Sequence, residues 1–119
     1  MATQWSDRIL IADLADEPAL SEELRSVNER VATADMAELR HVVLNFAGVT
    51  YVNSSNIAQL LRLRAGLAEK GRGLRLCSVQ DQVWSVVLLT GLDKIFTFAP
   101  DPATALASLQ IENANTEDE

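Results

Sequence analysis

Val42-Val43-Leu44-Asn45-Phe46-Ala47-Gly48-Val49-Thr50-Tyr51-Val52-Asn53-Ser54-Ser55-Asn56-Ile57 is the stretch on which the rest of the chain hangs. Its first five residues form a short apolar, β-rich run, the pattern of a buried strand. From Ile57 to Lys70 the sequence turns rich in Leu and Ala with no Pro, the pattern of a helix. Asn53, Ser54 and Ser55 therefore fall at a loop-to-helix junction. Small polar side chains suit that place, because their oxygens can accept hydrogen bonds from the first, unpartnered helix N–H groups. Those N–H groups and the helix dipole also favour negative charge. A hydroxyl there either caps the helix or carries a phosphate.

Upstream, Arg8-Ile9-Leu10-Ile11-Ala12-Asp13-Leu14 predicts a strand, which Trp5 either begins or precedes in a short partner strand. Pro18 breaks that pattern, with Asp16 and Glu17 beside it as first-turn acids. From Ala19 to about Ala34, Leu20, Leu24, Val27 and Val31 recur at steps of three and four, with charged residues between them. That is an amphipathic helix. In the helix after Ser55, the predicted apolar arc is Ile57, Leu60, Leu61, Ala65, Leu67 and Ala68, opposite Gln59, Arg62 and Glu69. Arg64 falls inside that arc, where it either snorkels to the edge or pairs with an acid.

Gly71 and Gly73 stop this helix and lead into a strand, Leu74 to Val79. Asp81 to Thr90 predicts a short helix closed by Gly91. Val83, Val86, Val87 and Thr90 make one of its faces, and Trp84 with Leu88 makes a second apolar face. Such a helix is either enclosed or offers one side to a partner. Ile95-Phe96-Thr97-Phe98 predicts a short final strand, and Pro102 opens a last helix through Ala105, Leu106 and Leu109. Strand–helix alternation at this spacing predicts an α/β domain with a mostly parallel sheet of four to five strands and about four helices. Residues 1–110 read as that single domain, and 111–119 as an acidic, disordered tail.

The formal charge is −7 and the pI about 4.6, which argues against nucleic-acid binding through a basic surface. Arg62, Arg64, Lys70, Arg72 and Arg75 cluster around one helix and its exit and read as a solvated face. No apolar run approaches the roughly 20 residues of a membrane span. The N-terminus has neither a basic region nor an apolar core, so no signal peptide and a cytoplasmic location are expected. Cys77, the lone cysteine, sits in a strand and reads as a buried structural thiol. His41 is the lone histidine, and nothing nearby completes a triad or metal site around it. No Gly-rich phosphate loop is present, and no cofactor is expected.

The segment Val42 to Val49 followed by Asn53-Ser54-Ser55, and the later Leu88-Leu89-Thr90-Gly91-Leu92-Asp93-Lys94-Ile95-Phe96, resemble the STAS domain of anti-sigma factor antagonists and sulphate transporters. The resemblance runs from about Ile9 to Leu109. The family pattern at the junction is Asp-Ser-Ser-Gly or Asp-Ser-Thr-Gly, and here Asn53 stands for the Asp and Asn56 for the Gly. Asp13 to Pro18 stands where the family has a Gly-Glu-Leu-Asp-like segment. By position, the resemblance implies Ser54 as the acceptor of a phosphate, with Ser55 as a minor alternative. It implies a non-enzymatic regulator that binds an anti-sigma factor with serine kinase activity when unphosphorylated, and that a serine phosphatase resets. The expected partner surface is Asn53, Ser54, Ser55, Asn56, Ile57, Gln59 and Leu60, extended by Trp84 and Leu88, which would also serve a homodimer. The alternative is a non-phosphorylated STAS scaffold or transporter-associated subunit with a fixed partner.

Overall fold

The computed structural model describes residues 2–6, 9–33 and 41–117, with side chains placed for 9–33 and 41–111. Arg8, Ala34 and the last two residues of the expected tail lie outside the described residues. Strand β1 (Ala2–Ser6) is followed by β2 (Ile9–Ala15), α1 (Ala19–Thr33), β3 (His41–Gly48), α2 (Ser54–Glu69), β4 (Gly73–Cys77), α3 (Asp81–Thr90), β5 (Phe98–Ala99) and α4 (Pro102–Glu117). The strand around Trp5 is the separate partner strand. It pairs antiparallel with β2, while β2, β3, β4 and β5 run parallel, giving a mixed sheet in the order 1-2-3-4-5.

That order decides where the helices lie. Parallel crossovers are right-handed, so a sheet whose neighbours follow the chain places every crossover helix on one face. The side chains agree, because strand residues alternate between faces. Leu10, Ala12, Leu14, Val42, Leu44, Phe46, Leu74 and Leu76 join the large core beneath α1, α2 and α3. Ile9, Ile11, Val43 and Cys77 point the other way, into a smaller cluster closed by Ala105 and Leu109 of α4.

Several expectations are corrected. The buried stripe of α2 is Asn56, Leu60, Leu63 and Leu67, while Leu61, Ala65 and Ala68 are exposed. The true stripe is rotated by about one residue, roughly 100°, from the predicted arc. Ala contributes little to burial on either side, so it misleads a count of apolar residues. Arg64 consequently lies at the surface, where its Nε donates to the Ile95 carbonyl at 3.1 Å.

The final strand is only Phe98–Ala99. Gly91, in the left-handed region at φ 76°, ends α3, and a 3₁₀ turn follows at Leu92–Lys94. The Ile95 and Phe96 N–H groups both bond back to the Leu92 carbonyl at 3.0 Å, so those residues are spent on the turn. Arg75, assigned to a solvated face, is 5% exposed and lies on β4 against α4. Its Nε donates to Ser108 Oγ at 2.8 Å.

α4 itself runs to Glu117, into the stretch assigned to the acidic tail, since no Gly or Pro after Pro102 interrupts it. Among the described residues, no helix is long and apolar enough to cross a membrane. Cys77 is buried, and burial pushes its thiol pKa up, away from reactivity. His41 is buried and accepts a hydrogen bond at Nδ1 from the Gly73 N–H at 2.8 Å.

Candidate functional site

The parallel strands end at the edge of the sheet from which α2 starts. β3 leaves the sheet at Gly48, and Val49 and Val52 drop into the core at 0% and 5% exposure. These two valines anchor a short loop, leaving Tyr51 63% exposed between them. Residue 53 then meets the first turn of α2, whose N–H groups need acceptors.

Asn53 supplies one. Its backbone is extended, at φ −108° and ψ 176°, and its side-chain Oδ1 accepts the Asn56 N–H at 2.8 Å. Asn56 Oδ1 returns the bond, accepting the Asn53 N–H at 3.0 Å. This is a capping box with Asn in the third helical position, where Glu or Gln is usual. The cap is therefore Asn53, and Ser54 and Ser55, in the first and second helical positions, are both exposed. Their hydroxyls are spared the capping task.

Two carboxylates from the β2–α1 turn hold this loop in place. Asp16 accepts the Thr50 N–H and the Thr50 hydroxyl, both at 2.8 Å. Those two bonds, with a further one from the Tyr51 N–H, hold its pKa below the ordinary carboxylate value. Glu17 accepts from the Ser21 hydroxyl and, at 2.7 Å, from the Ser21 N–H. Its second oxygen also takes the Asn56 amide at 3.2 Å and the Asn53 amide at 3.5 Å. The Ser21 hydroxyl is the largest cause of its lowered pKa, ahead of the Ser21 N–H and the two amides. Both asparagines that depart from the family pattern thus turn their amides to one carboxylate.

Of the expected partner residues, Asn53, Ser54, Ser55, Ile57 and Gln59 have accessible surface. Asn56 is fully enclosed at 0% and Leu60 is in the core at 3% exposure. These two support the surface from beneath, because the seam of α2 runs through them. Gln59 ties α2 to α1, donating to the Ser21 carbonyl at 2.9 Å, and Asn28 donates back to the Gln59 carbonyl at 3.2 Å.

The second apolar face of α3 also divides. Trp84 is half-buried, edge-on to Phe98 with ring centroids 5.1 Å apart at 87°, so it is largely committed to the domain. Leu88 is 52% exposed and its neighbour Leu89 87%. Sequence reasoning missed Asp16 and Glu17 as loop anchors and took them for first-turn acids of α1. Their bonds to Thr50, Asn53 and Asn56 span more than thirty residues of chain, so no local pattern announces them.

A model of the STAS domain matches residues 8–105. Solved structures share the fold at low identity. The anti-sigma-factor antagonist (STAS) domain protein from Planctomyces limnophilus is 18% identical, with a TM-score of 0.78 over 92% of this chain and 97% of that one. The Bacillus cell fate determinant SpoIIAA in its phosphorylated form is 15% identical, with a TM-score of 0.64 over 90% and 98%. The murine Solute Carrier 26 family member A9 anion transporter is 17% identical, with a TM-score of 0.74 over 91% of this chain and 18% of the transporter.

Proposed function

The chain belongs to the STAS domain family, and from that membership we propose an anti-sigma factor antagonist-like regulator, switched by phosphorylation at Ser54. Its partner is an anti-sigma factor with serine kinase activity, which supplies the ATP site and the transfer chemistry. The observation that carries the reading is the division of labour at the start of α2. Asn53 and Asn56 satisfy the cap, leaving an exposed serine hydroxyl on a pinned loop. Ser55, one position on and also exposed, is the minor alternative acceptor. SpoIIAA, which shares the fold, is described in both a phosphorylated and an unphosphorylated form.

The physics of a switch at this position is straightforward. A phosphate adds about −1.5 to −2 charges. At the first helical position that charge is favoured by the helix dipole, so the fold tolerates it. A partner seated over Asn53, Ser54, Ser55, Ile57 and Gln59 instead meets added bulk and a doubly charged group to desolvate. Changing a complex from about 99% bound to 99% free needs about 5.5 kcal/mol of differential affinity. Loss of close contact plus burial of a dianion is of that order.

Intact-mass and peptide-mapping measurements on the protein from its host, with and without phosphatase, test the reading. One phosphate on Ser54 supports it, and pull-down with Ser54→Ala and Ser54→Asp then reports the partner that senses it. Ser54 unmodified in every growth condition would overturn it. The second reading, a non-phosphorylated scaffold or transporter-associated subunit, draws on two observations. Asn53 and Asn56 replace the family's Asp and Gly, and the fold recurs in an anion transporter.

A further inference from the structure

We propose that Tyr51 is the aromatic anchor by which the kinase partner grips the Ser54 loop, its ring seated in an apolar slot beside the partner's phosphate-transfer site. This rests on the proposed phosphorylation of Ser54 and adds to it the side chain that selects the partner. Tyr51 is 63% exposed, and among the residues with placed side chains it is the one exposed aromatic. Phe46 and Phe96 are buried, and Trp84 and Phe98 are half-buried against each other.

The loop does not depend on this ring for its shape. Val49 and Val52 are buried on either side of it, and the Val49 N–H bonds back to the Phe46 carbonyl at 2.9 Å. Asp16 accepts the Thr50 N–H and hydroxyl, both at 2.8 Å, and the Tyr51 N–H as well. These restraints act through the backbone and through residues 49, 50 and 52, and they leave the Tyr51 side chain outside. The outcome is a large apolar ring held out from a fixed backbone. Contact with a partner would recover the hydrophobic free energy that the exposed ring forgoes in the free domain.

Two features favour Tyr51 over the other exposed large apolar side chains, Leu61, Leu88, Leu89, Ile95 and Ile111. The first is chemistry. Residues that dominate binding energy are enriched in Tyr, Trp and Arg, whereas Leu is under-represented. A tyrosine ring brings a large contact area with few side-chain torsions to fix, and a loop already pinned loses little further freedom on binding. The second is place. Tyr51 precedes Ser54 by three residues, so the chain between them spans at most about 11 Å. An interface of standard size covers about 800 Å² on each partner, a disc about 16 Å in radius. A kinase centred on the Ser54 hydroxyl therefore covers the ring too. The ring is remote from the reacting atoms, so its contact is the same before and during transfer and acts on KM rather than on kcat.

Clarified extract of the host, supplied with ATP, provides the kinase for the test. The unaltered full chain, labelled with heavy nitrogen, competes with one unlabelled variant at a time, and peptide mass mapping follows phosphate arriving at Ser54. The ratio of initial rates is the ratio of kcat/KM. Tyr51→Ala should fall at least about tenfold behind the unaltered chain and Tyr51→Phe should stay within about twofold. Ile111→Ala, on α4 and nearly as exposed, should keep pace. Alone at saturating concentration, Tyr51→Ala should regain most of the unaltered rate. Tyr51→Gln repeats the test with a side chain that keeps its bulk but not its ring, and equal urea midpoints verify equal folding. Tyr51→Ala or Tyr51→Gln keeping pace, or Tyr51→Phe falling as far behind as Tyr51→Ala, would overturn the anchor while leaving Ser54 phosphorylation standing. No phosphate on Ser54 of the unaltered chain, in extract from any growth phase, would overturn the underlying reading and the anchor with it.

Discussion

Asn56→Ala should be the most damaging single change at the start of α2, worse than removing the cap residue itself. Asn56 is 0% exposed, so water cannot readily replace the groups it loses. Its Oδ1 accepts the Asn53 N–H at 3.0 Å and its Nδ2 donates to Glu17 at 3.2 Å. A hydrogen bond is worth about 1 kcal/mol net, and an N–H left buried without an acceptor costs a further 1–3 kcal/mol or so. The expected loss is about 2 kcal/mol. For 119 residues, at about 2.1 cal/mol/K per residue, the unfolding entropy is about 0.25 kcal/mol/K, so the melting temperature should fall by about 8 °C.

Asn53→Ala removes an N-cap, typically about 1 kcal/mol, or about 4 °C. The two asparagines share the reciprocal bonds, so the double variant should lose about 1 kcal/mol less than the sum of the singles. Urea unfolding followed by circular dichroism, with m held constant, measures all three. Asn56→Ala equal to or milder than Asn53→Ala, or strict additivity, would refute the reciprocal cap.

Three further expectations follow from the geometry. Ser54→Asp should leave the fold intact and stabilise it by about 0.3–1 kcal/mol at low salt through the helix dipole, while weakening partner binding; thermal melts and pull-downs read the two effects separately. Asp16, Glu17 and Asp101 all have pKa values held below their ordinary ones, the first by Thr50, the second by Ser21 and the third by Thr104. Their stabilisation is therefore complete above the unfolded-state range near pH 4 and is lost as pH falls through the folded-state values. Urea midpoints should be flat from pH 7 to about 5 and then drop, with a smaller acid drop in the Asp16→Asn, Glu17→Gln variant. Trp84→Ala should cost about 2 kcal/mol through the Phe98 contact, whereas Leu88→Ala should stay within about 0.5 kcal/mol in the same urea assay. Equal costs would place both side chains on the same footing, against the geometry.

The inner strands were legible as short, β-rich apolar runs, as in Ile9 to Ala12 and Val42 to Leu44, which is what a strand buried on both faces requires. Helix α1 was legible from its steps of three and four, with each of its predicted apolar positions buried. Helix α2 was less so: its seam begins at a polar residue, Asn56, and passes through Leu63, while Leu61 and two alanines suggest the wrong side. Gly91 announced the end of α3 but not the 3₁₀ turn behind it, which shortened β5 to two residues. At the candidate site, the junction and the exposed serines could be placed from the sequence. The anchoring carboxylates could not, since an Asp and a Glu beside Pro18 look like helix-start acids until the fold sets them against residues 50–56.

The unequal cover of the two sheet faces bears on how the chain emerges from the ribosome. Strands β2, β3 and β4 and the helices between them are complete once Cys77 has been made, so the large core can begin to close. The opposite face, with Ile9, Ile11, Val43 and Cys77, waits for Ala105 and Leu109, which among the described residues are its buried helical cover. Roughly thirty residues separate Cys77 from Leu109, and at about 5–20 residues per second that interval lasts about two to six seconds. During it the nascent chain carries one face covered by α1 and α2 and still awaiting α3, and one bare apolar face. A product terminated before Pro102 would keep that face open for good and should be recovered as aggregate.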